Sequence, residues 1–160
     1  MSILSLGSRL DDFPENLNLL IPNLADPDLR IRSTAISALG PSIDKFPQLK
    51  QLFLDIAKDI SMPIEMRQEA LLSVSKIDVP EVKALLASNL DNNDWRLRQT
   101  AALGLGNLKG PEIPDLLKPL IQDPTWQVRQ ATATSLGNFN QPQVVDYLKP
   151  LLNDDYWQVR

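Results

Sequence analysis

The 160-residue chain is 43% hydrophobic and carries 16 basic and 20 acidic side chains, which give a formal net charge of -4. This composition suits one folded domain or a short repeat array and is not that of a disordered chain. The acidic balance argues against a nucleic-acid-binding protein, which usually has an excess of lysine and arginine. Cysteine and histidine are absent, which excludes disulfides, thiolate catalysis and the commonest general base.

The start of the chain and its acidic pairs carry no sign of targeting or catalysis. Residues 1–7 have no basic start and too short an apolar run for a signal peptide. No segment approaches the roughly 20 apolar residues of a membrane helix. The acidic pairs at 11–12 and 154–155 are interpreted as caps and solvated loop charges. We therefore expect a cytoplasmic protein without membrane contact, metal, cofactor or catalytic residues.

Apolar residues spaced i, i+3, i+4, i+7 and i+8 predict one amphipathic helix in each of five segments. In chain order the apolar sets are Leu19, Leu20 and Leu24; Leu49, Leu52, Phe53 and Ile56; Val82, Leu85, Leu86 and Leu90; Ile113, Leu116, Leu117, Leu120 and Ile121; Val144, Tyr147, Leu148, Leu151 and Leu152. Pro22, Pro119 and Pro150 fall inside three of these first helices, so we expect a kink there.

A second helix is predicted after each first helix, and it opens with a shared motif. In this motif an arginine follows a polar residue, usually aspartate, by six positions. The copies are 26–32, 61–67, 92–98, 123–129 and 154–160, of which 61–67 is the weakest. Asp123 and Pro124 are typical of an N-cap and a first-turn residue. Gly40, Gly106 and Gly137 are expected to close second helices in a left-handed conformation.

The motif arginines define the repeat. Those at 67, 98, 129 and 160 are 31 residues apart, and Trp95, Trp126 and Trp157 recur in the same phase. These patterns predict an all-α protein with a single domain over 1–160 and about five antiparallel helix pairs. The repeats are expected at about 13–41, 47–77, 80–109, 111–140 and 142–160, the last one incomplete.

The paired helices and the aspartate six residues before an arginine resemble HEAT repeats. The D-P-x-W-x-V-R run at 123–129 and the A-x-x-x-L-G pattern of the second helices resemble most closely the HEAT-like repeats of the phycobilisome lyase type. This resemblance implies a right-handed α-α superhelix. It also implies a ladder of ion pairs between neighbouring repeats. The ladder residues would be Asp26, Arg32, Arg67, Arg98, Asp123, Arg129 and Asp154, with Arg160 as a further candidate. Ser61 and Asn92 stand at the aspartate position of repeats two and three and interrupt it.

The second helices line the concave face in the resembled family, so we expect a partner-binding surface on them. Two positions stay open for the tryptophans, which either form an exposed aromatic row or cover the seams between repeats. The candidate surface consists of Trp95, Arg96, Gln99, Leu103, Trp126, Gln127, Gln130, Thr134 and Trp157. It is polar and nearly neutral, with aromatic anchors of the kind that protein interfaces favour.

Three functions remain open at this stage. The first is a protein-binding scaffold or adaptor, which needs no catalytic group. The second, implied by the resemblance alone, is a subunit of a bilin lyase or another factor that handles phycobiliproteins in a cyanobacterium, with a bilin stacked on Trp95 or Trp126 and its propionates near Arg96. The third is a HEAT-like DNA-binding or repair enzyme, against which the acidic charge argues. We expect a binding protein rather than an enzyme.

The final predicted repeat stops where its second helix should begin. Val144, Leu148 and Leu152 would then be only half covered, although solenoids normally end in a polar cap. This suggests either a fragment of a longer protein or an end that associates with a second copy of the chain.

Overall fold

The computed structural model describes residues 2–160, and that part of the chain contains helices and turns but no β-strand. The all-α fold class predicted from the sequence is confirmed. The chain forms two compact units, Met1–Val74 and Ser75–Arg160. The single-domain organisation stays a prediction. The α-helices of unit one are α1 (Ile3–Gly7), α2 (Asn16–Leu20), α3 (Leu29–Leu39), α4 (Pro47–Lys58) and α5 (Ile64–Val74); those of unit two are α6 (Pro80–Ala87), α7 (Trp95–Gly106), α8 (Ile113–Leu117), α9 (Trp126–Leu136) and α10 (Pro142–Leu148).

Unit one is organised around α3 and α5, the second helices of its two repeats. Helix α3 packs against both α1 and α5, and α4 packs along α5. The core is made of aliphatic side chains and Phe53, which is fully buried. Burial of such side chains stabilises a helix far more than its intrinsic propensity does.

Helix α1 occupies the place of a further second helix, which the sequence analysis missed. A Cβ on Gly7 would lie 2.7 Å from the Cβ of Ala38 in α3. A Cβ on Gly40, which follows α3, would likewise collide with the side chain of Ser73 in α5. The sequence contains a sign of this helix, because the pair Leu6-Gly7 repeats the pair Leu39-Gly40 at the end of α3.

Unit two has α7 and α9 packed along each other as its second helices. Helix α6 contacts α7, and α8 contacts α9. The predicted stripe of Val128, Thr132 and Leu136 is fully buried on α9, as is Leu105 on α7. The apolar stripe of α9 therefore faces the core, while its opposite side remains partly exposed.

The three prolines of the first helices change the helix type. Helices α2, α8 and α10 are each followed directly by a 3₁₀ segment with proline at its second position. The segments are Ile21–Ala25, Lys118–Gln122 and Lys149–Asn153. Proline has no N–H, and its ring displaces the carbonyl four residues earlier, so the α-helical pattern cannot continue through it. A 3₁₀ segment needs only i to i+3 bonds and extends the helix by about one turn. The structure thus shows a change of helix type at these prolines, and the kink itself stays a prediction.

The left-handed conformation predicted for the helix-ending glycines is wrong. Gly40 has φ -54° and Gly137 has φ -60°, both right-handed, and Gly106 is the last residue of α7 itself. Close packing explains two of these glycines. A Cβ on Gly106 would lie 2.6 Å from Ser135 Oγ of α9, and one on Gly40 would collide with Ser73 Oγ of α5. The glycines let neighbouring second helices approach closely.

Candidate binding surface

The motif loop before each second helix is held by an Asx turn. One side-chain oxygen accepts a hydrogen bond from the backbone N–H two residues later, at 2.8–3.0 Å. The accepting residues are Asp26, Asp59, Asn92, Asp123 and Asp154. This local bond fixes the chain direction before the helix begins.

The N-cap prediction for the motif aspartate is therefore wrong. The helices begin later, at Leu29, Trp95 and Trp126. Asp28 and Asp94 are the N-caps of α3 and α7, and each accepts the backbone N–H two residues further on. In α3 and α7 the acidic residue that caps the helix is thus distinct from the residue that makes the Asx turn, and α9 has Thr125 at its N-cap without a side-chain cap bond.

The register of repeat two also differs from the sequence prediction. The sequence spacing puts Ser61 at the aspartate position, because Ser61 precedes Arg67 by six residues. In the structure Asp59 makes the Asx turn, and Ser61 donates both its N–H and its Oγ–H to Asp59 Oδ1. Two additional residues in this loop account for part of the longer step between the first two repeats.

Two ladder pairs connect the repeats of unit two. Arg98 Nε donates to Asp123 Oδ2 at 2.7 Å and Nη2 donates to Oδ1 at 3.0 Å. Arg129 makes the same fork to Asp154, at 2.6 and 2.9 Å. The side chains are nearly buried, with 13% of Arg98 and 4% of Asp123 accessible. Such bidentate pairs have fixed geometry and favourable energy only because further hydrogen bonds satisfy the remaining polar atoms.

Each ladder arginine also holds its own motif loop. Nη1 of Arg98 donates to the carbonyl of Asn92, and Nη1 of Arg129 donates to that of Asp123, at 2.8 and 2.7 Å. Arg160 does the same to Asp154 O at 2.6 Å. One guanidinium thus ties its own loop to the carboxylate of the next repeat, which leaves little of its charge for an external anion.

The other predicted ladder residues make contacts of another kind. Asp26 accepts from the Asp28 amide. Arg32 Nη1 lies 3.5 Å from Met62 Sδ, and its Nε is buried without a hydrogen-bond partner. Arg67 Nε donates to Ala57 O at 3.3 Å. With the shifted loop of repeat two, Arg32 contacts Met62 instead of making a bidentate carboxylate pair, and Asp59, the Asx-turn residue, acts on Arg32 only as a nearby charge.

The ladder pairs shift the acidity of their members. Burial raises the pKa of Asp123, but hydrogen bonds from Arg98 and from the Thr125 amide outweigh it, so the net pKa is below the usual value. The hydrogen bond from Arg129 lowers the pKa of Asp154. The same bonds raise the pKa of both arginines.

These shifts predict an acid-dependent stability of unit two. Because the folded-state pKa of Asp123 lies below its unfolded value of about 3.9, its contribution is fully present above that pH and is lost as the pH falls through the folded pKa. We expect the free energy of unfolding to fall as the pH drops below about 3.9, and to fall less steeply in Asp123→Asn. Urea unfolding at a series of pH values measures this. Equal slopes in the two proteins would contradict it.

The tryptophans occupy different environments. Trp126 is half-buried and stacks on Tyr156 of the following repeat, with ring centroids 5.7 Å apart and planes 17° from parallel. The guanidinium carbon of Arg129 lies 5.7 Å from the centre of the same tyrosine ring. Trp126 is therefore at the seam, the second of the two positions left open by the sequence. Trp95 is half-buried, and Trp157 is 73% exposed.

The remaining candidate residues lie on the partly exposed side of α7 and α9, which we call the second-helix face. Its residues are Arg96, Gln99, Leu103, Gln127, Gln130 and Thr134, all half-exposed except the exposed Thr134. Arg96 donates from Nε and Nη2 to the Asp94 carboxylate at 3.0 and 2.8 Å. The face thus offers amide, hydroxyl and apolar groups with its one cation paired, a surface suited to hydrogen bonding rather than to gripping an anion.

Other features of the chain bear on what it can bind. No helix within residues 2–160 has both the length and the hydrophobicity to cross a bilayer. In the same range no three acidic side chains come together in a way that could hold a metal ion. Near the end of the chain Val145 is 60% exposed and Leu152 is 64% exposed, whereas Val144 is buried.

A protein of known structure shares the fold of this chain. The structure is similar to a chain in the complex of CpcE and CpcF of phycocyanin lyase from Nostoc sp. PCC7120, with a TM-score of 0.72 and 21% identity. The match covers 89% of this chain and 60% of that one, so this chain spans less than two thirds of its neighbour's length. At this identity the likeness concerns the fold.

No curated protein sequence matches the chain. The family model described as HEAT repeats matches residues 17–103 and 88–160. The recognition of HEAT-like repeats from the sequence is thereby confirmed. The chain belongs to the family of HEAT repeats.

Proposed function

We propose that this HEAT-repeat chain is a scaffold or adaptor that binds a partner protein on the second-helix face of α7 and α9. The observation that carries the proposal is the composition of that face. Gln99, Gln130 and Thr134 present side chains that can donate and accept hydrogen bonds, and Leu103 lies among them as an apolar contact. A protein surface of amides and apolar groups complements such a face, whereas a nucleic acid would need unpaired cations.

The rigidity of unit two supports this use of the face. The ladder pairs and the close approach of α7 to α9 hold the two helices in one arrangement. A surface held in place before binding loses little conformational entropy when the partner docks. The exposed Trp157 adds an aromatic anchor at the end of the same unit.

A second candidate function is the handling of bilins or phycobiliproteins as a lyase subunit. It is favoured by the likeness to a chain of the phycocyanin lyase complex from Nostoc, a complex of two subunits. In this function the partner would be a second subunit or an antenna protein. Stacking of Trp126 on Tyr156 and pairing of Arg96 with Asp94 would have to give way before a bilin could occupy the positions first considered for it.

A capture experiment tests the proposal with matched variants. The tagged chain is incubated with a lysate of its source organism, and bound proteins are quantified by mass spectrometry. We expect the face variant Leu103→Glu with Gln130→Glu to lose at least about tenfold of the partner, because two buried carboxylates oppose docking. The control variant Val145→Glu with Gln122→Glu also replaces one aliphatic residue and one glutamine by glutamate, at exposed positions of α10 and of the 3₁₀ segment after α8, and should retain the partner.

The outcome separates the two candidate functions. Bilin fluorescence of the captured protein on a gel would favour phycobiliprotein handling, and a colourless partner would favour a general adaptor. Equal capture by the face variant and the wild type would contradict the assignment of the second-helix face, whichever partner is found.

A further inference from the structure

Unit one contains an apolar cavity between the first helices of its two repeats. Its volume is about 360 Å³, and its walls come from the 3₁₀ segment after α2, from α4 and from the loop before α5. Leu24, Leu52 and Met62 are among the apolar side chains that line it. Pro22, Ala25 and Asp55 of its lining are exposed, so the cavity opens to solvent.

The corresponding space in unit two has a different character. It measures about 380 Å³ and is lined by the ladder residues Arg129 and Asp154 together with Asn153 and Asp155. In unit one Met62 lies at the position that faces Arg32, at 3.5 Å from its Nη1. Arg32 makes no bidentate pair at this seam, and the cavity beside it is lined mostly by apolar side chains.

Two carboxylates lie at the edge of the apolar cavity. Asp55 is exposed on α4 and accepts a hydrogen bond from Gln51 Nε2 at 2.8 Å. Asp59 is half-exposed, and hydrogen bonds from the Ser61 side chain and amide lower its pKa, with Arg32 and Arg67 adding to the effect. Both carboxylates line the cavity. Apolar walls beside two anionic groups complement an apolar body that carries a positive charge.

We propose that this cavity is a docking site for a segment of a partner protein in which a leucine-like side chain stands next to lysine or arginine. The apolar side chain fills the space beside Leu52 and Met62, and the cation lies against Asp55 and Asp59. The next loop residue, Ile60, is 87% exposed and extends the apolar contact beyond the cavity. The site is in unit one, so it does not depend on the second-helix face of unit two.

The test uses three fluorescently labelled peptides with the same two-leucine centre, flanked by lysines, by serines or by glutamates. Binding to the full chain is followed by fluorescence anisotropy. We expect saturable binding of the lysine peptide, at least about tenfold weaker binding of the serine peptide, and none of the glutamate peptide. Absence of saturable binding by the lysine peptide, or equal affinity for all three, would overturn the proposal.

Variants and a local probe assign the binding to this cavity. Asp55→Lys should weaken the lysine peptide at least about tenfold, and Ala25→Phe should block it by filling the space. Asp44→Lys makes the same change of charge at another exposed position of unit one and should leave it unaltered. With methyl-labelled methionine, the peptide should shift the NMR signal of Met62 more than that of buried Met66. Binding that survives both cavity variants, or that leaves the Met62 signal in place, would refute the site.

Discussion

Replacement of Asp123 by alanine is expected to lower the free energy of unfolding of unit two by about 3 kcal/mol. The substitution leaves Arg98, whose side chain is only 13% accessible, without the carboxylate that takes its Nε and Nη2 donors. It also removes the Asx turn that fixes the loop before α9. Urea unfolding followed by tryptophan fluorescence measures the effect, because Trp95, Trp126 and Trp157 all lie in unit two.

The control is the same substitution at an exposed ion pair. Asp146 pairs with Lys149, and these side chains are 71% and 65% accessible, so Asp146→Ala should cost less than about 1 kcal/mol. A second comparison replaces both ladder partners, Arg98→Met with Asp123→Leu, which removes the unpaired charge and should recover part of the loss. Similar losses in the two single variants would contradict the structural role assigned to the ladder.

Replacement of Gly106 by alanine is expected to destabilise unit two by about 1–3 kcal/mol, although alanine favours a helix over glycine by about 1 kcal/mol in an exposed interior position. The added Cβ would lie 2.6, 2.7 and 2.9 Å from Oγ, Cβ and Cα of Ser135. The last of these atoms belongs to the backbone, so α7 and α9 must move apart. The same unfolding measurement applies.

Gly137 provides the matched control, since it holds the same place in the next repeat. An added Cβ there meets only carbonyl oxygens of its own helix end, at 3.3 and 3.6 Å, and its backbone is right-handed. Gly137→Ala should therefore be neutral or slightly stabilising. If Gly106→Ala were as well tolerated as Gly137→Ala, close helix approach would not explain the glycine at this repeat position.

Much of the fold follows from periodicity that the sequence displays directly. The stripe of Val128, Thr132 and Leu136 is spaced for one face of a helix, and the structure buries all three. The arginine spacing gives the repeat length because each repeat has the same two helices. Such patterns depend on neighbours a few residues apart, which a single sequence contains in full.

The departures from expectation involve residues whose side chain suits two local roles, or whose role depends on distant partners or on loop length. An aspartate with a short acceptor side chain suits both an N-cap and an Asx turn, so spacing alone did not separate Asp123 from the true helix start. No local pattern marks Gly106 as a packing residue, because Ser135, which it contacts, belongs to the next repeat. The spacing to Arg67 does not single out Asp59, because the loop of repeat two is longer than the others.

The candidate surface was only partly accessible to sequence reasoning for the same reason. The phase of Trp126 placed it at the start of a second helix, where the structure has it. Its contact with Tyr156 lies across the seam, and no local pattern marks that tyrosine as its partner. The exposure of Gln99 and Gln130 could be predicted, because helical spacing puts both residues on the side opposite the buried stripe.

The central claim, that the face of α7 and α9 binds a partner protein, is tested most directly by hydrogen exchange of the chain with and without its captured partner. The account predicts added protection of amides in α7 and α9, with α8 and α10 unchanged. Protection confined to α8 and α10, with exchange in α7 and α9 unaltered, would contradict it.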